Sequence, residues 1–131
     1  MPEWVLPGKL ARTSRPGYAG EAGSAVPVAV VDAWLDELSD AGVRSIICLL
    51  AEDQLPLYDA LPGGLLAHYR RAGLATAHVP ARDYQRPALS DVQLELVRQA
   101  YLDLPKPVVV HCSAGIDRTG LAVAYLLQHQ P

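Results

Sequence analysis

The sequence has little of several features that would point to other classes of protein. It carries a formal net charge of −3 over 131 residues, with no long run of one sign, so it has no basic field of the kind that draws proteins to nucleic acid or anionic membranes. The N-terminus lacks the positive segment and apolar stretch of a secretory signal, and no apolar run approaches the length of a membrane span. We therefore expect no nucleic-acid partner and no membrane span, and we predict a cytoplasmic protein.

Cysteine is also scarce. Only Cys48 and Cys112 occur, in very different surroundings, which argues against a disulfide framework or a multi-cysteine zinc site. The histidines have no spacing typical of metal ligands, and we predict neither a metal nor a cofactor. Cys48 lies in an apolar run, where a buried structural thiol is expected. The alternative is a resolving thiol that forms a reversible disulfide with Cys112 after oxidation.

What the sequence does contain is an alternation of apolar strands and amphipathic helices. Half of the residues are hydrophobic, which at this length suffices for one core and predicts a single domain over 1–131. Two short extended pieces broken at Pro7-Gly8 come first. The further predicted elements are strands at 43–50, 76–79 and 108–110, helices at 28–38, 65–72, 90–104 and 121–128, and a loop at 52–64. This alternation predicts an α/β fold with a central parallel-type twisted sheet flanked by helices.

The most informative pattern, HCSAGIDRTG at 111–120, joins the last predicted strand to the last helix. A thiol at such a turn faces the positive end of the helix and the backbone N–H groups of the loop, both of which favour the thiolate. The segment between Cys112 and Arg118 is long enough to wrap around one tetrahedral anion, with Gly115 permitting a positive φ. The Arg118 guanidinium can bind two oxygens of that anion. The pattern therefore predicts a nucleophilic cysteine in a phosphate-binding loop.

This pattern resembles the H-C-x-x-G-x-x-R-[ST]-G motif of the cysteine-dependent protein tyrosine and dual-specificity phosphatase superfamily. The segments WVLPGKLA and GVRSIICLLAED extend the likeness over nearly the whole chain, which is most similar to the small atypical dual-specificity phosphatases. The resemblance implies a phosphatase P-loop and hydrolysis of phosphate monoesters through a phosphocysteine on Cys112, without a metal. It also implies that His111 orients the loop and that Thr119 stabilises the departing thiolate. The implied phosphate-binding residues are Ser113, Ala114, Gly115, Ile116, Asp117 and Arg118.

Such a reaction also needs an acid to protonate the leaving group and a base to activate water. In the family one Asp, about thirty residues before the cysteine, does both, and Asp83 in VPARDYQRP occupies that place. Asp91 is the alternative, although the helix dipole explains an acidic residue in a helix's first turn. The neighbours Arg82, Tyr84 and Arg86 are expected to form either a rim that contacts substrate or a solvated loop.

Asp117 departs from the neutral residue that many dual-specificity enzymes have before the arginine. It is expected either to point away and pair with Arg82 or Arg86, or to mark a phosphoinositide phosphatase. A phosphorylated protein or peptide, with phosphotyrosine first, is the expected substrate. Two further functions stay open, a phosphate-binding pseudophosphatase and a rhodanese-like sulfur carrier, although a sulfur carrier would not need Asp83.

The chain ends just after the apolar helix at 121–128, whereas similar phosphatases continue through further helices. A helix that is apolar almost all round needs cover on every side. We therefore expect either a chain that lacks the usual C-terminal helices or a homodimer.

Overall fold

The computed structural model describes residues 2–19 and 24–130, which fold around one five-stranded sheet. The strands are β1 (Glu3–Leu6), β2 (Leu10–Thr13), β3 (Ser45–Cys48), β4 (Ala75–His78) and β5 (Val108–His111), in the order β1-β2-β5-β3-β4. Strands β2, β5, β3 and β4 are parallel. Strand β1 is antiparallel to β2 because the turn at Pro7-Gly8 is too short for a parallel crossover. The predicted α/β fold with a central, mainly parallel sheet is confirmed.

Four α-helices flank the sheet: α1 (Val28–Asp40), α2 (Gly64–Arg71), α3 (Asp91–Asp103) and α4 (Asp117–Gln128). Two predicted boundaries are wrong. The predicted loop at 52–64 contains a 3-10 helix, Glu52–Tyr58, whose first turn is held by the Gln54 side chain accepting from the Ala51 N–H. Helix α4 begins at Asp117 rather than at Leu121, because the motif itself forms its first turn. Arg118 and Thr119 are thereby fixed on a helix.

The side chains of the sheet pack on its two faces in two apolar clusters. Val108 and Val110 of β5 lie in the cluster formed with α3 and α4. Val109 lies in the other cluster, formed with α1 and α2. Because β5 lies between β2 and β3 in the sheet, its carboxyl end opens at the middle of one sheet edge, where parallel α/β sheets bind ligands.

Helix α4 is covered by α3 and the sheet on one side only. Ala122, Val123 and Leu126 are buried there, whereas Leu127 is 41 % exposed. Dimerisation stays a prediction.

None of the helices within residues 2–19 and 24–130 has the length and apolar character to cross a membrane, and the cytoplasmic location also stays a prediction.

Candidate active site

The predicted phosphate loop lies at the carboxyl end of β5, immediately before α4. Cys112 follows the last residue of β5 and is almost completely buried. Gly115 has φ of 77°, and a Cβ at this position would lie 2.6 Å from the Thr13 carbonyl oxygen and 2.8 Å from the Ser14 nitrogen. Glycine is therefore required twice, for its backbone conformation and for the close approach of the segment after β2.

The loop offers a run of unused hydrogen-bond donors. Within the described ranges, no backbone N–H group of residues 113–118 donates a hydrogen bond. The N–H groups of Asp117 and Arg118 lie in the first turn of α4, where the helix has no acceptors of its own for them. The helix dipole adds a positive partial charge there. The Thr119 hydroxyl is also buried without a hydrogen-bond partner. All of the predicted phosphate-binding residues lie in this one segment, which is suited to hold an anion.

The Arg118 side chain is buried and held by one of its terminal nitrogens. Nη1 donates to the Ala81 carbonyl at 2.8 Å and to Gln54 Oε1 at 2.9 Å, with a longer contact of 3.3 Å to the Leu49 carbonyl. These acceptors fix the plane of the guanidinium group. Nε has no hydrogen-bond partner among the described residues, whereas Nη2 lies 3.4 Å from Asp83 Oδ1. An anion bound at two points by the Nε–Nη2 edge, the geometry that arginine uses for phosphate, would therefore lie next to Asp83.

Asp83, the predicted acid, lies beside Arg118. Its Oδ1 is 3.4 Å from Arg118 Nη2, and its side chain is 38 % exposed, so the carboxyl group can meet both the loop and solvent. Asp91, the alternative acid, is the exposed first residue of α3 and has no contact with Arg118 among the residues that the structure describes. The geometry therefore favours Asp83 over Asp91.

The segment after β4 that carries Asp83 is held by two glutamines. Gln93 Nε2 donates to the Pro80 carbonyl at 2.9 Å, and its Oε1 accepts from Gln85 Nε2 at 3.0 Å. Gln85 Oε1 in turn accepts from the Arg82 N–H at 3.1 Å. The residue after Asp83, Tyr84, has a positive φ of 62° and is 80 % exposed. A non-glycine residue in this conformation marks a backbone that its surroundings hold under strain.

The structure corrects one prediction about the exposed residues near Asp83 and the loop. Arg82, Tyr84 and Arg86 are all exposed, which leaves both predicted roles open. Asp117 is exposed too, but it forms no salt bridge with Arg82 or Arg86 among the described residues. The predicted pairing is wrong because Asp117 lies in the first turn of α4, where the helix dipole already stabilises an acidic side chain.

His111 is completely buried and neutral. Burial and the nearby Arg118 charge lower its pKa to about 4, although the Cys112 carbonyl opposes the shift. Nδ1 lies 2.9 Å from the Cys112 carbonyl oxygen, which can only accept, so Nδ1 carries the proton. Nε2 must then accept from the Tyr69 hydroxyl, also at 2.9 Å. His111 thus holds the cysteine backbone through one fixed tautomer, with Trp34 packed edge-on against its ring.

Three residues that the sequence analysis did not single out hold the site. Gln54 orients Arg118, as described above. Arg12 Nη2 donates to the Gly115 carbonyl at 2.8 Å, and Arg15 Nε donates to Ser113 Oγ at 3.2 Å. The pairing of β2 with β5 brings both arginines to the loop. No short-range pattern in the sequence predicts this pairing.

Cys48 has the environment of a structural thiol. It is fully buried, belongs to the cluster with α1 and α2, and faces His111 in the β3–β5 register. Burial raises the pKa of its thiol to about 12, so it remains protonated at neutral pH. A resolving cysteine attacks as the thiolate, and Cys112 belongs to the opposite cluster, so these observations favour the structural interpretation. A redox role for Cys48 stays a prediction.

Solved structures similar to this chain share its fold. The crystal structure of Tk-PTP in its active form is 22 % identical, with a TM-score of 0.66 over 98 % of this chain and 74 % of that one. Kinase associated phosphatase (KAP), crystallised with its catalytic-site cysteine replaced by serine, is also 22 % identical. Its TM-score is 0.67 over 91 % of this chain and 64 % of its own. At these identities the likeness shows the fold alone.

The family assignment comes from the sequence. No curated protein matches the chain. A family model described as "Polymorphic toxin system, DSP-PTPase phosphatase" matches residues 22–130, which include strands β3 to β5, Asp83, the phosphate loop and α4. The chain belongs to the DSP-PTPase phosphatases of polymorphic toxin systems.

Proposed function

We propose that this phosphatase hydrolyses phosphorylated proteins or peptides through a phosphocysteine intermediate on Cys112. The observation that carries the proposal is the arrangement around the loop. The N–H groups of residues 113–118, in the turn that follows Cys112, donate no hydrogen bond to a described residue, and Arg118 lies in the same turn with Asp83 3.4 Å from its Nη2.

In the first step the Cys112 thiolate attacks phosphorus. The S–P bond forms as the P–O bond to the leaving group breaks, and the electron pair of that bond goes to the leaving oxygen. Asp83, protonated before the step, gives its proton to this oxygen. The loop N–H groups and the Nε–Nη2 edge of Arg118 bind the other phosphoryl oxygens and stabilise their charge in the transition state.

In the second step water attacks the phosphocysteine. The Asp83 carboxylate takes a proton from the water as the new P–O bond forms, and the S–P bond breaks with its electron pair returning to sulfur. The Thr119 hydroxyl, buried without a partner, is the donor that stabilises the departing thiolate. The N-terminus of α4 supports the same charge. His111, neutral and bonded to the Cys112 carbonyl, keeps the loop in place through both steps.

Phosphotyrosine is the first substrate we propose, with phosphoserine and phosphothreonine as further candidates. A small domain without long loops around the site suits a shallow and permissive pocket. The family description places such phosphatases in polymorphic toxin systems. A phosphoinositide phosphatase is the second candidate, because Asp117 is exposed at the mouth of the loop and unpaired with Arg82 and Arg86.

Hydrolysis of para-nitrophenyl phosphate over a pH series without added metal tests this mechanism. We expect turnover by the wild type, none by Cys112→Ser, and loss of the basic limb of the kcat profile in Asp83→Ala. Asp91→Ala is the matched control and should keep the wild-type profile. An inert wild type that still binds phosphate would indicate a pseudophosphatase instead. A panel of phosphopeptides and phosphoinositides then separates the two substrate classes.

A further inference from the structure

Arg15 is a buried cation placed directly against the phosphate loop. It follows β2 in the chain and is only 7 % exposed. Its backbone N–H donates to the Ser113 carbonyl at 2.9 Å, and its side-chain Nε donates to Ser113 Oγ at 3.2 Å. One residue therefore holds both the backbone and the side chain of the first loop residue after the cysteine.

The other contacts of Arg15 within residues 2–19 and 24–130 are all with neutral groups. Nη1 lies 3.2 Å from the Tyr58 hydroxyl and 3.4 Å from the Pro16 carbonyl. The Tyr58 hydroxyl donates to that same carbonyl at 2.7 Å, so its oxygen is free to accept from Arg15. The Tyr18 ring lies 5.7 Å from the guanidinium carbon on another side. No carboxylate within residues 2–19 and 24–130 forms a salt bridge with Arg15.

A buried guanidinium with only neutral partners is costly unless an anion lies close by. Among the described residues that hydrogen-bond to Arg15, those of the phosphate loop are the ones next to a group that can be anionic, the Cys112 thiolate or a bound phosphate. Arg118 is the only other buried arginine among the described residues, and it is engaged on the side of Asp83. Arg15 lies instead at Ser113, so the two charges reach the loop through different contacts.

We propose that Arg15 is a positioning residue that fixes Ser113 and whose charge stabilises the thiolate and the bound phosphate dianion. This inference rests on the proposed phosphocysteine chemistry for its purpose. The effect of the Arg15 charge on the loop can be measured without turnover.

The test is alkylation of Cys112 by iodoacetate over a pH series, with and without inorganic phosphate as a protecting ligand. In Arg15→Gln we expect the midpoint of the alkylation profile to move up by about one pH unit. We also expect the phosphate concentration that gives half protection to rise about tenfold. Arg15→Lys keeps the charge and should retain most of both properties. Arg44→Gln, an exposed charge change at the opposite end of β3, is the matched control and should resemble the wild type.

Circular dichroism and thermal melting establish that each variant is folded. If a folded Arg15→Gln has the midpoint and phosphate protection of Arg44→Gln, the proposal is wrong. If Arg15→Gln does not fold, Arg15→Lys decides. A lysine variant near the wild-type midpoint supports a role of the charge, and one shifted by a full unit contradicts it. If Arg15→Gln shows the expected differences from the wild type but the wild type hydrolyses no substrate, the proposed function is wrong and this inference stands.

Discussion

At the scale of single residues, the motif specifies the groups for the chemistry and the structure shows how each is held. Arg118 is fixed through Nη1, and its Nη2 lies beside Asp83. His111 is fixed as one neutral tautomer by the Cys112 carbonyl and Tyr69. The backbone of Thr13 and Ser14 leaves no room for a Cβ at Gly115. The sequence alone predicts which residues form the loop but not which groups support them.

Gly115 offers a direct test of the close packing behind the loop. Gly115→Ala places a Cβ 2.6 Å from the Thr13 carbonyl oxygen in addition to the strain of a positive φ. We expect a loss of at least about 2 kcal/mol in the free energy of unfolding, together with loss of hydrolysis. Gly8→Ala is the matched control, because Gly8 has φ of 74° and open space around it. It should lose about 1 kcal/mol and keep its activity. Equal effects in urea unfolding and hydrolysis assays would contradict this account.

At the scale of elements, the sheet brings together segments that are distant in the chain. Strand β5 leads to Cys112, β2 contains Arg12 and leads to Arg15, and the segment after β4 carries Asp83. The sequence analysis predicted every strand, because apolar periodicity is a local signal, and the family resemblance pointed to Asp83, which the structure places beside Arg118. It missed Arg12, Arg15 and Gln54 because their roles arise only when β2 and the 3-10 helix after β3 are placed beside the loop.

Gln93 of α3 links a helix to the segment that carries the proposed acid. Gln93→Leu removes the bonds to the Pro80 carbonyl and to Gln85, so Asp83 should be held less firmly. We expect kcat to fall about tenfold with phenyl phosphate, whose poor leaving group needs the acid. With para-nitrophenyl phosphate, which needs the acid less, the fall should be smaller.

Gln99→Leu on the same helix is the control, since the Gln99 side chain hydrogen-bonds only to Glu95 among the described residues. Steady-state kinetics with both substrates measure the two variants. An equal loss with the two substrates would show that Gln93 does not act through the acid.

At the scale of the whole molecule, the loop follows the central strand β5, whose side chains pack in both apolar clusters, so its buried groups are linked to global stability. His111 is the clearest case, because its pKa is about 4 in the folded protein against an ordinary value of 6.5. Between these pH values the unfolded chain binds a proton at this position that the folded protein does not. Stability from His111 is therefore complete above about pH 6.5 and is lost as the pH falls toward 4.

Urea unfolding over pH 4 to 8 measures this linkage. We expect the His111 contribution to lower the free energy of unfolding by up to about 3 kcal/mol between pH 6.5 and 4. His111→Asn retains a donor for the Cys112 carbonyl and removes the titration, so the stability difference between wild type and variant should shrink as the pH falls. Parallel curves for the two proteins would contradict a buried neutral histidine.

The central claim is that Cys112 carries the phosphoryl group, and trapping that intermediate tests it most directly. Wild type mixed with para-nitrophenyl phosphate is quenched in acid within the first turnovers, and the protein is analysed by intact mass and peptide mapping. The account predicts one added phosphoryl group, located on the peptide that contains Cys112 and absent from Cys112→Ser. Turnover without any adduct, or an adduct on another residue, would contradict it.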